Sequence, residues 1–387
     1  MKRDLEKEFS LLQEMHHNGE ISRRGFLQAL GMLCASAGIL VSPLSRLTQP
    51  VWAAEKSIRF DGWGGIMEEA FRENAFKPFT AATGNKVVEG AIGNMETYLS
   101  KVKASFPPGG EYHITHLATV FDYARLLDLG LGTVLDEAKI PKLKNIMTAI
   151  LDSYRKASNG TLSAIPYNYG YTGIAYNTKY IPKEKAEKMG AALLWDKTYK
   201  GKVGIWTDWR TMIWFAALYT GQHPNNIKDI DAIWVALREL RGQLKKYWGS
   251  GAELMSLLGN EELHVTTAWS GRIVALQEAG HPIGLCAPKN SFAFEDAIFV
   301  FKGTDLDLTY QLLDYLLEPK CAFAVSMGMK YPPTINPTKV ATPDAIKKLP
   351  GFDPTGTLSN LVFLDTSYWK KYQLDWIEKC DRIRAGA

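Results

Sequence analysis

The chain has 387 residues, of which 46% are hydrophobic and 22% are charged, and its formal net charge is +4. A chain of this length can bury one large core, although two units of ordinary size are the more natural division. Its basic residues are scattered among 41 acidic ones, without the basic stripe of a nucleic-acid-binding surface. The composition therefore predicts a globular protein with no nucleic-acid partner.

The N-terminal segment has the order of an export signal. Arg23 and Arg24 precede an apolar run over 29–41, and 51–53 offers a cleavage site with small residues. The apolar run is shorter than the roughly 20 residues that a membrane span needs. We therefore expect 1–53 to be a twin-arginine signal peptide, read by the twin-arginine translocase, and the protein to act in the periplasm. A retained membrane anchor is the alternative.

The chain then alternates strands and helices. Hydrophobic periodicity predicts strand, helix, strand, helix and strand in turn, at 56–63, 64–83, 84–92, 94–105 and 111–119. This order predicts an α/β fold with a parallel sheet and right-handed crossovers.

The junction between the first strand and the first helix is suited to a ligand. Trp63, Gly64 and Gly65 stand there, and open α/β sheets bind small molecules beyond the carboxyl ends of their strands, near free helix amides. A packed tryptophan followed by a tight turn is the alternative.

A segment rich in glycine, tyrosine and asparagine over 159–182 predicts an extended crossing between two lobes. Further along, a strand over 202–208 ends at Asp208 and is followed by a helix, and another strand ends at Trp269 before a helix. Two more strands, two helices and an aromatic, basic C-terminal helix complete the predicted order.

Five segments in this order resemble the spermidine/putrescine-type family of periplasmic solute-binding proteins. They are WGGIMEEAFRENAFKPFTAATGNKV, PYNYGYTGIAYNTKYIP, AWSGR, PKNSFAFEDAIFVFKGT and LLDYLLEPKCAFAVSMGMKYPPTINP, within about residues 57–345. The resemblance implies the two-lobed periplasmic-binding-protein fold, type II-like, with a ligand cleft between the lobes. It assigns 55–165 and 273–330 to lobe one, and 166–272 and 331–387 to lobe two. It also implies an ABC-transporter permease that reads the closed form.

The resemblance further implies that aromatic side chains stack on the ligand while carboxylates pair with its ammonium groups. The ligand-binding residues expected on this basis are Trp63, Gly64, Gly65, Tyr98, Tyr171, Asp208, Trp209, Arg210, Trp269, Arg272 and Asp296.

Arg272 departs from the family pattern, because the tryptophan-x-glycine motif is commonly followed by an acidic residue. A guanidinium in the cleft, with Arg210 near it, would repel a diamine and could bind a carboxylate in bidentate fashion. Together with Asp208 and Asp296, these charges would suit a zwitterion, such as an amino acid or a conjugate of one. A small organic anion is the next alternative. Arg272 could instead turn outward and pair with a surface acid.

The sequence contains no GxSxG, HExxH or P-loop motif. His113 and His116 fall in a predicted strand, where residues three apart face opposite sides, so we expect no metal pair there. We therefore expect neither an enzyme nor a cofactor or metal site. A chemosensory binding protein without a transport role is a further alternative. The three cysteines after the signal segment are expected to be buried thiols, with one disulfide as the alternative.

Overall fold

A computed structural model describes the following residues: 11, 14, 15, 56–93, 95–105 and 111–386. The chain separates into two units, Met1–Glu55 and Lys56–Ala387, and the fold described below is that of the second. Apart from three positions, the predicted signal segment 1–53 lies outside the described residues. No helix in the described part is both long enough and apolar enough to cross a bilayer.

The described strands form one mixed sheet with the order β2-β1-β3-β9-β4-β7-β5-β6, in which β10 adds to β9 and β8 adds to β4. The strands are β1 Ser57–Gly62, β2 Lys86–Ala91, β3 Ile114–Ala118, β4 Ala164–Asn177, β5 Val203–Trp206, β6 Leu244–Trp248, β7 Val265–Trp269, β8 Ile283–Cys286, β9 Phe292–Val300 and β10 Val362–Phe363.

The described helices connect and cover these strands. They are α1 Ile66–Phe71, α2 Lys77–Thr83, α3 Met95–Ser105, α4 Val120–Asp128, α5 Thr148–Ala157, α6 Lys183–Met189, α7 Trp209–Tyr219, α8 Ile230–Arg241, α9 Gly251–Gly259, α10 Ser270–Glu278, α11 Leu306–Leu316, α12 Pro319–Met329, α13 Asp344–Lys347 and α14 Thr366–Ala385. Side-chain caps begin many of them. Asp208 caps α7, for example, by accepting a hydrogen bond from the Thr211 amide at 3.1 Å.

The predicted α/β order of the first part is confirmed. Strand β1 pairs in parallel with β2 and with β3, as the strand–helix–strand order requires. The helix predicted over 64–83 consists of α1 and α2 joined by the wider π-helical turn Arg72–Phe76. The sheet as a whole is mixed, because β9 runs antiparallel to β3 and to β4. The predicted parallel pairing is therefore confirmed for β1, β2 and β3, and β5 also pairs in parallel with β6 and β7, but the sheet is not parallel throughout.

Strand β4 holds the sheet together. Its 14 residues are buried except for Tyr171, which is half-buried. The part from Ala164 to Thr172 pairs with β9, and the part from Thr172 to Asn177 pairs with β7 and β8. The extended segment predicted over 159–182 is thus confirmed as a strand over Ala164–Asn177, while the limits of the two lobes stay a prediction.

The hydrophobic core consists of three clusters of buried side chains. The first packs β1, β3 and β9 against α1, α11 and α12, with Phe60 and Phe71 in ring contact at 5.1 Å. The second surrounds α7, α8 and α14 and contains Trp214 and Trp369. The third surrounds β7, α9 and α10. The free cysteines Cys286, Cys321 and Cys380 are all buried, which confirms the prediction of buried thiols.

Candidate ligand-binding site

The turn between β1 and α1 is built on two glycines with positive φ. Gly64 has φ of 79° and Gly65 has φ of 67°, and a Cβ at either position would meet nothing within 4 Å. The backbone conformation, rather than crowding, therefore favours glycine here. The Gly64 amide donates to Glu68 Oε1 at 3.1 Å. Trp63 packs against the first core cluster, and its buried Nε1 has no hydrogen-bond partner within the described residues.

Polar side chains from three neighbouring strands meet on one face of the sheet. Asp296 of β9 is paired with Asn168 of β4 on one side and with Ala118 of β3 on the other. His116 lies two residues before Ala118 on β3. Residues two apart on a strand share a face, so the three side chains lie on the same side. Asn168 Nδ2 donates to Asp296 Oδ2 at 2.7 Å, and His116 Nδ1 lies 2.9 Å from Met67 Sδ.

Arg272 completes this group, which we call the polar cell: His116, Asn168, Arg272 and Asp296. Arg272 stands in the first turn of α10 and is only 3% exposed. Its guanidinium occupies the space left by the missing side chain of Gly251, where a Cβ would come within 2.7 Å of Nε. The alternative in which Arg272 turns outward to a surface acid is therefore not what the structure shows.

Burial determines the protonation states in the polar cell. It raises the pKa of Asp296 to about 7, against the opposing effects of the Asn168 hydrogen bond and of the positive charge of Arg272. Burial lowers the pKa of His116 to about 3, which a hydrogen bond with the Asn168 side chain opposes in part. At neutral pH, His116 is therefore an uncharged imidazole, and Asp296 is close to its titration midpoint.

An aromatic side chain that the sequence did not single out borders the polar cell. Tyr331 is 2% exposed and fits between two glycines, since a Cβ on Gly170 or Gly271 would come within 2.9 or 2.6 Å of its ring. It makes an edge contact with Phe294 at 5.6 Å. The charges of Arg272 and Asp296 both act on its hydroxyl.

Trp269 stands at the end of β7, three residues before Arg272. Its ring meets Trp206 edge-on at 4.9 Å and Trp248 edge-on at 5.2 Å. Trp269 packs against both the first and the third core clusters and stays partly exposed. The predicted residues Trp269, Arg272 and Asp296 therefore lie around one region, together with the unpredicted Tyr331.

Asp208 and Arg210 form a separate, ion-paired group. Arg210 Nη1 donates to Asp122 Oδ2 and Arg210 Nη2 to Asp208 Oδ2, both at 3.0 Å. Asp208 also caps α7, and Trp209 packs in the second cluster, 6.0 Å from Phe121 and 5.6 Å from Trp369. In this structure the charges of Arg210 and Asp208 are balanced within the protein.

The two predicted tyrosines differ in burial and in their contacts. Tyr98 is 2% exposed in the first core cluster, and its hydroxyl donates to Asp61 Oδ2 at 3.1 Å. Tyr171 is half-buried beside Gly351, and burial raises its pKa to about 12. A surface pocket of about 470 Å³ lies elsewhere, between α8 and α14, and contains none of the predicted ligand-binding residues.

Sequence reasoning did not single out His116, Asn168 or Tyr331 as candidates for the site. His113 and His116 have different partners, because His113 Nδ1 accepts from the Arg59 amide and His116 contacts Met67. A histidine in an otherwise apolar strand was a usable signal for His116. Nothing in the local sequence marks Asn168 or Tyr331.

The family model described as bacterial extracellular solute-binding protein matches residues 74–354. The chain belongs to this family. The resemblance inferred from the five segments is thereby confirmed.

Curated members of the family resemble the chain along most of its length. The spermidine/putrescine-binding periplasmic protein 1 of Haemophilus influenzae is 25% identical over 296 residues, covering 76% of this chain and 79% of that protein. The putrescine-binding periplasmic protein PotF of Escherichia coli is 25% identical over 351 residues, covering 84% and 91%.

The fold is also that of solved binding proteins. The periplasmic binding protein MotA of A. tumefaciens B6, solved in complex with glucopine, superposes with a TM-score of 0.72 at 18% identity, covering 85% of this chain and 99% of that one. The predicted two-lobed periplasmic-binding-protein fold is thereby confirmed as the fold class.

Proposed function

We propose that the protein is the substrate-binding component of an ABC importer. It captures a small amine-containing or zwitterionic solute in a cleft between two lobes and delivers it to a membrane permease. Lobe one comprises 55–165 and 273–330, and lobe two comprises 166–272 and 331–387. The family match and the names of the curated relatives support a solute-binding role.

The observation that carries the proposal is the presence of two residues of opposite charge, Arg272 and Asp296, in the buried polar cell. Asp296 and Arg272 are both 3% exposed, and the charge of one acts on the other. Burying isolated charges is costly unless they are paired. A ligand with an ammonium group for Asp296 and a carboxylate for Arg272 would satisfy both, and Trp269 would cover its apolar part.

Two other functions remain as alternatives. A small organic anion would use Arg272 alone and leave Asp296 protonated. A chemosensory receptor subunit would bind the same solutes without a permease. The buried polar groups favour a specific small ligand in either case, but the opposite charges favour the zwitterion over the anion.

The direct experiment is a thermal-shift screen of the protein without residues 1–53. The panel contains polyamines, amino acids, conjugates of amino acids and small organic acids. A ligand that binds only the folded state raises the melting temperature, by an amount that grows with its concentration over Kd. Stabilisation by organic acids alone would favour the anion alternative, and no stabilisation by any member of the panel would contradict the proposal.

Export by the twin-arginine route is part of the same proposal. Replacing both Arg23 and Arg24 with lysine is expected to keep the precursor in the cytoplasm, because a receptor reads the arginine pair itself. The measurement is the share of the protein in the periplasmic fraction. A variant with lysines at two other positions of the N-terminal segment, Arg3 and Arg46, is the matched control. Normal periplasmic recovery of the first variant would contradict this export route.

Trp269→Ala is expected to weaken binding of the best ligand from the screen by about 2 kcal/mol or more, the scale of a buried aromatic anchor. The fold should survive, because the ring is only partly buried between two clusters. Titration calorimetry measures the affinity and circular dichroism checks the fold. Trp234→Ala, in the separate surface pocket between α8 and α14, is the control for general loss of an aromatic side chain. A folded Trp269→Ala variant with unchanged affinity would remove Trp269 from the site.

Binding of a ligand with an ammonium group is expected to weaken as the pH falls below about 7. Asp296 must lose its proton to pair with the ammonium group, and burial raises its pKa to about 7 in the free protein. The apparent Kd should therefore rise about tenfold for each further pH unit below that value and level off above it. Calorimetric titrations from pH 5 to pH 8.5 measure this profile.

The control for this profile is Asp296→Asn, which should bind more weakly at pH 8 and lose the pH dependence below 7. Glu295 also titrates between pH 5 and pH 8.5, since burial raises its pKa to about 8. Glu295→Gln should nevertheless keep the pH dependence of binding that the unchanged protein shows. An unchanged profile in Asp296→Asn would assign the titration to another group.

A further inference from the structure

Helix α4 contacts both of the larger core clusters. Its residues Tyr123 and Leu126 belong to the first cluster, whereas Phe121 belongs to the second. Phe121 is only 2% exposed, and its ring meets that of Trp209 edge-on at 6.0 Å. In the proposed division of the chain, α4 lies in lobe one, while α7, which begins at Trp209, lies in lobe two. The ring of Phe121 therefore crosses the proposed boundary between the lobes.

The start of α4 is fixed to lobe one. The amide of Thr119 donates to the carbonyl oxygen of Glu295, and the amide of Val120 donates to Glu295 Oε1, both at 2.8 Å. The hydroxyl of Tyr123 accepts from the amide of Ser163 at 2.9 Å. Thr119 has φ of 87°, a conformation that a threonine keeps only where its surroundings require it. Helix α4 therefore cannot follow lobe two without breaking these bonds.

Two ion pairs join α4 to lobe two. Arg210 of α7 donates with Nη1 to Asp122 Oδ2 at 3.0 Å, and both side chains are buried. At the last residue of α4, Asp128 pairs with Lys370 of α14, and both side chains are about half-exposed. The buried pair is the stronger link, because water screens it less than it screens the outer pair. Both ends of α4 are thus joined to elements of lobe two.

The buried pair can separate without leaving either charge isolated. Arg210 also donates with Nη2 and Nε to Asp208 Oδ2, at 3.0 and 3.1 Å, within the first turn of α7. Asp122 has a second cation, Arg125 of α4, at 3.7 Å. Each charge therefore has a partner of opposite sign within its own lobe. A buried pair is costly to break chiefly when one charge is left uncompensated, so this contact is suited to reversible opening.

We propose that α4 is a latch between the lobes, which closes when Asp122 meets Arg210 and Phe121 enters the second core cluster. Asp128 and Lys370 form its outer contact. Opening separates the ion pair and exposes the ring of Phe121, so the latch shifts the equilibrium between open and closed forms towards the closed one. This inference rests on the proposed function, because it takes the two lobes and the cleft between them from it.

The test measures the distance between the lobes without any added solute. Spin labels are attached at Lys156→Cys on α5 and at Glu239→Cys on α8, which are exposed positions in lobe one and lobe two. The background is the full chain with Cys34→Ser, in which Cys286, Cys321 and Cys380 are buried. Double electron–electron resonance gives the distribution of distances. We expect the distance of this structure to dominate in the unchanged latch.

Asp122→Asn is the variant that opens the latch. It keeps the shape of the side chain, and Arg210 keeps its partner Asp208, so the fold should survive. The share of molecules with a longer distance between the labels should rise about tenfold, the scale of one hydrogen bond to a charged group. The matched control is Asp314→Asn, which removes the same charge from the ion pair with Lys142 at 2.6 Å, inside lobe one. Its distribution should equal that of the unchanged chain.

Circular dichroism establishes that each variant is folded. A folded Asp122→Asn variant that keeps the short distance would overturn the inference and make the contact a permanent part of the core. An equal change in Asp314→Asn, or a longer distance that already dominates in the unchanged chain, would overturn it as well. If Asp122→Asn misfolds, Asp128→Lys repeats the measurement by placing two like charges together at the exposed end of α4, and an unchanged distribution there overturns the inference.

Failure of the latch and failure of the proposed function are distinguishable. The label distances are measured without a solute, whereas the thermal-shift screen uses the unchanged latch. Stabilisation by a solute together with an unchanged distance in the Asp122→Asn variant would overturn only the latch.

Discussion

Arg272→Met is expected to abolish useful binding of any ligand that carries a carboxylate, while making the protein more stable. Removing one partner of a buried charged hydrogen bond costs about 2–5 kcal/mol of binding free energy. In the free protein, by contrast, Arg272 is a buried cation with an unpaired Nη1. An unpaired buried donor carries a desolvation cost of about 1–3 kcal/mol, or more when it is charged, and the substitution removes this cost. Asp296, whose pKa burial raises to about 7, can take up a proton when the neighbouring cation is lost, so no uncompensated charge stays behind.

The measurements are calorimetric titration for the ligand and urea unfolding for stability. Arg238→Met removes the same charge from an exposed position on α8 and should change neither quantity appreciably. Arg272→Glu restores the acid of the family motif, so it should reject the carboxylate ligand and admit putrescine. Tight putrescine binding by the unchanged protein would contradict the role given to Arg272 and return the polyamine to first place.

Arg210→Met is expected to have the opposite effect on the fold. It removes the partner that lies 3.0 Å from Asp122, which is 2% exposed, and leaves that carboxylate only the more distant Arg125 at 3.7 Å. It also unpairs Asp208 at the start of α7. Removing one member of a buried ion pair destabilises proteins by about 3–5 kcal/mol, because the remaining charge stays buried and uncompensated. The urea midpoint should fall accordingly, with little change in the slope.

The compensating variant distinguishes charge from packing. Arg210→Met combined with Asp122→Asn and Asp208→Asn removes all three charges and should recover much of the lost stability. If Arg210→Met proves as stable as the unchanged protein, the ion-paired group contributes nothing to folding. In that case Arg210 becomes available as a ligand residue, as the sequence had predicted.

The sequence predicted the fold well where periodicity carries the information. Strand β1 and helices α3 and α14 follow directly from their hydrophobic patterns. Strand β6 was missed, because the sequence Leu244–Trp248 continues the apolar spacing of α8 across the turn and contains two exposed lysines. A short edge strand with charged residues gives little alternation to detect.

The site was harder to predict because its contacts join distant parts of the chain. Arg210 was expected to reach a ligand, yet it pairs with Asp122, which lies 88 positions away. Asn168 and Asp296 are 128 positions apart and become partners only through the register of β4 and β9. A single sequence identifies residue types that suit a ligand, whereas it does not reveal which of them are already engaged by one another.

The path of β4 limits how this protein can be divided into fragments. One continuous strand carries hydrogen bonds to β9 over its first part and to β7 and β8 over its second. Cleavage within it would leave two pieces, each with an exposed row of unpaired backbone groups of the kind that promotes aggregation. Split reporters and circular permutants of this protein should therefore place new termini in exposed loops such as 341–343, away from this strand.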